Sequence, residues 1–196
     1  TIAGLFMLGI MVAKGMACPR GRTLTTLVLM GALGYVGLSF AFFTALTMAP
    51  AGLVAILLYL YPAFVTLLAT IFLKKPVTLL KSVALSLTIG GTILIIGLEG
   101  GSGQNLGIVV AITAAVLYSV YIVVGSKVIS NADAFSASTV VIISAGVAFS
   151  GIVAVKGVKF PGTAIGWVSV FAIALVSTAL AIVAFFAGLK RIDPAN

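Results

Sequence analysis

Tyr35, Ser39 and Phe43 follow one another at four-residue intervals in a stretch that carries no charge, a spacing that places two hydroxyls and an aromatic ring on one face of a helix. Tyr59, Pro62 and Thr66 are similarly aligned further along. Tyr118, Ser119 and Tyr121 gather in a later apolar run, and Ser144 and the pair Ser177-Thr178 sit centrally in two more. Such side chains can hold a solute by hydrogen bonding and by their π faces; they are poorly equipped to make or break bonds. The chain has no histidine for acid–base work or zinc, Cys18 is its one thiol, and its three acids, Glu99, Asp133 and Asp193, lie outside the centres of the apolar runs. Nucleophilic and metal chemistry need converging Ser/Lys, Asp/Asp, His or Cys groups. The sequence therefore points to no catalytic residue, no metal site and no cofactor.

Each candidate has a plainer reading. A lone Ser or Thr in an apolar helix more often bonds the backbone one turn earlier or glues two helices together. Tyrosines near the middle of a run favour a cavity more strongly, because a buried phenol needs a partner; Trp167, nearer an end, suits the role of interfacial anchor. Pro62 removes one backbone hydrogen bond and kinks its helix, which makes it a hinge candidate. Gly31, Gly34, Gly37, Gly90 and Gly91 lie inside runs and are read as close-packing contacts between helices, not as a phosphate cradle.

What must position these residues follows from composition. Of 196 residues, 62% are hydrophobic and 7% charged, whereas a soluble domain carries about 25% charged residues. The net charge of +8 comes without a basic cluster interleaved with aromatics, so no nucleic-acid partner is implied. Residues 23–73 are uncharged and, as a single helix, would exceed twice the roughly 30 Å hydrocarbon thickness. The chain must turn once, at Ala49-Pro50-Ala51-Gly52, giving spans at about 25–48 and 51–73. Further charge-free runs at 82–98, 105–126, 134–155 and 163–189 and a partial one at 1–13 bring the number to seven. Runs near twenty residues argue against a β-barrel, whose strands need about ten. The fold class is all-α, a polytopic membrane helix bundle, with membrane lipid as an expected partner.

Nine basic residues, Lys14, Arg20, Arg22, Lys74, Lys75, Lys81, Lys127, Lys190 and Arg191, fall on one side of these spans, and Lys156 and Lys159 on the other, with Glu99 and its Gly-rich loop. By the positive-inside rule the first side is cytoplasmic. The chain opens in an apolar run with no initiator Met, and Lys14 interrupts the one stretch that could imitate a signal peptide, so the sequence looks truncated.

The sequence also repeats itself. An offset of 142 brings Ala3-Gly4, Gly9-Ile10, Lys14-Gly15 and Pro19 onto Ala145-Gly146, Gly151-Ile152, Lys156-Gly157 and Pro161. At 143, Ala41-Phe42-Phe43 and Leu46 fall on Ala184-Phe185-Phe186 and Leu189, and one residue later Pro50-Ala51 falls on Pro194-Ala195. Span one matches span six and span two matches span seven. Copies five spans apart cross the membrane in opposite directions, the inverted topology of many secondary transporters.

Ala41-Phe42-Phe43-Thr44-Ala45-Leu46, then Pro50-Ala51-Gly52, then Leu60-Tyr61-Pro62-Ala63-Phe64-Val65, then Gly90-Gly91 before Ile93-Leu94 resemble, in order and spacing, the EamA-type carriers of the drug/metabolite transporter superfamily. The resemblance implies ten helices in two inverted-topology five-helix repeats. Residues 1–98 would be the first repeat without its first helix, and 99–196 the second without its last two. It also implies a transporter of the cell membrane that moves amino acids, metabolites or drugs, by export or facilitation, through a central cavity. Such carriers usually have an acidic residue after the fourth helix, where this chain has Lys74-Lys75.

No ionisable Asp, Glu, Lys, Arg or His occupies a span centre, which favours facilitated diffusion or exchange of a small neutral, zwitterionic or amphipathic solute. The rival readings are a heptahelical receptor and a non-transporting scaffold subunit. A retinal protein would need a lysine within 163–189, which has none, and an intramembrane enzyme lacks the converging groups. Oligomeric state, solute identity and direction are not legible in the sequence.

Overall fold

A computed structural model describes residues 2–74, 78–99, 105–129, 132–157 and 161–191. Within them the chain forms seven helices: α1 (Ile2–Ala13), α2 (Gly21–Leu46), α3 (Ala51–Leu73), α4 (Leu79–Glu99), α5 (Asn105–Ile129), α6 (Ala134–Lys156) and α7 (Ala164–Arg191). α2, α3, α5, α6 and α7 are long and apolar enough to cross a membrane, while α1 and the Lys81–Leu94 part of α4 are shorter apolar helices. The spans expected from charge-free runs are thus helices, each starting or ending within a turn or so of its expected limit. The Gly100–Gly103 loop, the Pro194-Ala195 repeat match and Lys75 and Lys159 lie outside the described residues.

The ends have local causes. Gly15, at φ +60°, closes α1 in the left-handed conformation that lets Met16 N–H reach back to the Met11 carbonyl, 3.0 Å away. Asp133 starts α6: its carboxylate accepts from the N–H groups of Phe135 at 3.0 Å and Ser136 at 3.1 Å. Thr163 does the same for α7 through Gly166 N–H, at 3.1 Å.

Three of the helices are not regular. α2 passes through a π-helical segment at Met30–Tyr35, and α7 through another at Ile173–Leu180. α3 breaks at Tyr59-Leu60 and resumes at Tyr61 with Pro62 in its first turn, where the missing N–H is an orphan in any case. The kink expected of Pro62 is a short irregular turn placed just before it.

The chain divides into two compact units. The first comprises Thr1–Val36 and Gly125–Asp193 and is organised around α6, on which α1, the N-terminal part of α2 and α7 all pack. Its core holds Ala3, Met7, Ile142 and Ala179, with Leu27 and Phe186 fully buried nearby. Gly31 permits the closest approach: a Cβ there would run into the Val141 carbonyl oxygen and lie 2.9 Å from Ser144 Cβ. The second unit comprises Gly37–Val124 and is built on Ala45, Leu53, Val54, Leu57 and Ala111. Large apolar side chains elsewhere, Leu79, Val155 and Ile165 among them, stand exposed, as expected of a surface solvated by lipid tails.

Candidate solute-binding cavity

In the first unit a partly open cavity of about 690 Å³ lies between α1, α2, α6 and α7. Its wall is mainly aliphatic, from Ile2 and Ala3 on α1, Val141 to Ala154 on one face of α6, and Val170 to Ile182 on α7, with the Phe149 ring alongside. Three side-chain hydroxyls interrupt it: Tyr35, Ser150 and Thr178. This volume falls in the range of small-molecule sites, about 300–1,000 Å³, and an apolar wall with a few placed polar groups is their usual composition.

The π-helical segments explain how two of these hydroxyls reach the cavity. Each inserts an extra residue into its helix and so re-aims the side chains that follow, a device frequent at functional sites. Tyr35 ends the segment of α2, and Thr178 lies within that of α7, where its hydroxyl donates to the Ile173 carbonyl five residues back, at 3.2 Å. Ser150 donates to the Gly146 carbonyl at 2.8 Å. The Tyr35 phenol is half-buried and has no hydrogen-bond partner among the described residues.

Of the residues singled out by sequence, Tyr35 and Thr178 are brought together on this wall and the others are not. Ser144, also in the first unit, donates to the Val140 carbonyl at 2.7 Å and packs against Gly31; Ser177 is exposed. Ser39, Phe43, Tyr59, Pro62, Thr66, Tyr118 and Tyr121 belong to the second unit. There Thr66 donates to the Pro62 carbonyl at 2.9 Å, Phe43 and Tyr59 are exposed by 66% and 67%, Tyr121 is buried and Ser39 half-buried. Tyr118 meets Tyr61 edge-to-face at 4.8 Å, and Ser119, fully buried, lies 2.7 Å from the Ala115 carbonyl and 3.0 Å from that of Tyr61. A Cβ at Gly37 would meet only Leu117, at 4.0 Å, Gly34 is half-buried, and at Gly90 and Gly91 a Cβ would meet nothing within 4 Å. The close-packing role expected of those two glycines is therefore not seen among the described residues. Sequence reasoning missed Phe149 and Ser150; their position on the face that carries Val141, Ala145 and Gly146 was the available signal.

Several apolar helices of membrane-spanning length define an integral membrane protein of the polytopic helical class. The chain belongs to the EamA-like transporter family, whose profile matches residues 1–97 and 105–196, and through it to the drug/metabolite transporter superfamily. It is thus a membrane transporter of that type. A crystal structure of another protein shares the fold, with a TM-score of 0.76 at 20% identity over 99% of this chain and 69% of that one. No curated protein sequence matches.

Proposed function

We propose that the protein moves small organic solutes, amino acids, metabolites or drugs, across the cell membrane by alternating access, as an exporter or facilitator. Residues 1–98 and 99–196 act as the inverted repeats that rock about the solute, the basic loops face the cytoplasm, and membrane lipid and the solute are the partners. One observation carries the reading: two helices of each repeat, α1 and α2 from the first and α6 and α7 from the second, wall a single cavity of solute size. Nine basic residues against two support the orientation.

The test is counterflow in proteoliposomes with a panel of radiolabelled solutes, with and without an imposed proton gradient. Saturable exchange that a proton gradient alone does not drive is the expected result. Uphill flux driven by the gradient alone would overturn facilitation, and absence of flux across the panel would overturn transport.

A further inference from the structure

The two π-helical segments begin at Met30 and Ile173, 143 residues apart, which is also the offset that superposes Ala41-Phe42-Phe43 on Ala184-Phe185-Phe186. The same offset takes Tyr35 to Thr178. Each segment, moreover, packs on a helix of the other half of the chain: that of α2 on α6, and that of α7 on α1. Two corresponding distortions therefore deliver two corresponding hydroxyls to one cavity wall. A π segment has poorer hydrogen-bond economy than the α-helix around it, and its recurrence at matched places calls for a reason beyond local sequence, since Met-Gly-Ala-Leu-Gly-Tyr and Ile-Ala-Leu-Val-Ser-Thr share no pattern.

From this pair we infer that the cavity binds an uncharged amphipathic solute, an apolar body bearing one hydroxyl or amide group, which the Tyr35 and Thr178 hydroxyls grip together. The inference rests on the reading of this cavity as the solute site. The hydroxyl protons of Thr178 and Ser150 are engaged by the carbonyls of Ile173 and Gly146, which leaves these two only acceptor capacity, whereas Tyr35 has its proton to give. The wall thus offers one free donor and three hydroxyl oxygens that can accept. A hydroxyl or a primary or secondary amide, being donor and acceptor at once, satisfies both sides. A carboxylate can accept only from Tyr35, and an ammonium can donate to the hydroxyl oxygens but leaves the Tyr35 proton unused; each would lie against an aliphatic wall in which no lining residue carries an opposite charge. Placing an ion in such surroundings is strongly unfavourable. A zwitterion meets that penalty at both ends, so of the solute classes proposed above the inference keeps uncharged metabolites and drugs and excludes amino acids.

Three probes with one apolar body separate these cases: 1-naphthalenemethanol, 1-naphthylmethylamine and 1-naphthoate. Binding is measured by equilibrium dialysis against the protein in lipid nanodiscs, with protein-free nanodiscs subtracted. The alcohol is expected to bind saturably and at least tenfold more tightly than either ion. Tyr35→Phe and Thr178→Val, which remove one hydrogen bond each and almost no volume, are expected to weaken it by about threefold to tenfold. Ser169→Ala, an exposed position on α7, serves as a folding control and leaves the affinity unchanged. Preferential binding of either ion, absence of binding by the alcohol, or full affinity in both hydroxyl variants would overturn the inference. These failures are distinct from failure of the transport reading, which shows as absent flux for every solute in proteoliposomes.

Discussion

Gly31→Ala is the sharpest perturbation of the fold that the structure offers. The added methyl would collide with the Val141 carbonyl oxygen, and Ser144 Cβ stands 2.9 Å from it. Neither atom can rotate away, since one is backbone and the other the first carbon of its side chain. α2 must then move off α6, loosening the contacts of Leu27 and Met30, both buried. Over-packing of this kind costs about 1–3 kcal/mol, and the better helix propensity of Ala returns up to about 1 kcal/mol. Because the obstacle is backbone, the upper end of that range applies and the net loss is about 2 kcal/mol, roughly 4–8 °C in Tm for a chain of this size. Gly37→Ala, six residues away along the helix beyond the π segment, is the matched control. There the methyl meets only Leu117 Cδ1 at 4.0 Å, so propensity dominates and Tm stays level or rises. Thermal unfolding in detergent micelles, followed by far-UV circular dichroism, reads both variants. Equal midpoints, or a lower one for Gly37→Ala, would refute the reasoning.

Two further substitutions probe other contacts. Ser119→Ala is expected to lower stability by about 1 kcal/mol, because it removes the hydroxyl shared between the Ala115 and Tyr61 carbonyls at the point where α3 is interrupted; a Ser119→Thr variant that retains the bond should lose less in the same melt. Asp133→Ala removes the acceptor for two N–H groups at the start of α6 and is expected to cost about 1 kcal/mol, with Asp133→Asn recovering most of it; increased amide hydrogen exchange at Phe135 and Ser136 is the measurement, and unchanged exchange would count against the cap.

The helices were legible because charge punctuates the chain and each run between charges has only one way to satisfy its backbone in lipid. Pro50 marked the turn into α3 for the same reason. The hydroxyls of Thr66 and Ser144 followed the commoner fate of such groups, bonding the carbonyl four residues back, which local sequence also foretold. What the chain concealed were features made by distant partners. Nothing in the residues from Met30 to Tyr35 marks a π segment, since it arises where Gly31 settles against Val141. The link from Ser119 to Tyr61 joins residues 58 apart and has no periodicity to betray it. The pairing of Tyr35 with Thr178 was within reach, for the offset of 143 that aligns the phenylalanines also aligns these two.

The seat of Gly31 on α6 also sets a clock on biosynthesis. Val141 is made 110 residues after Gly31, and at about 5–20 residues per second the ribosome takes roughly 6–22 s to supply it. During that interval α2 is already in the bilayer with the groove at Gly31 unfilled, and lipid tails or the insertion machinery must occupy the place that α6 later takes. Membrane entry and tertiary closure are separate events in this chain, and translation speed between the two helices governs how long the half-made protein is exposed to wrong partners.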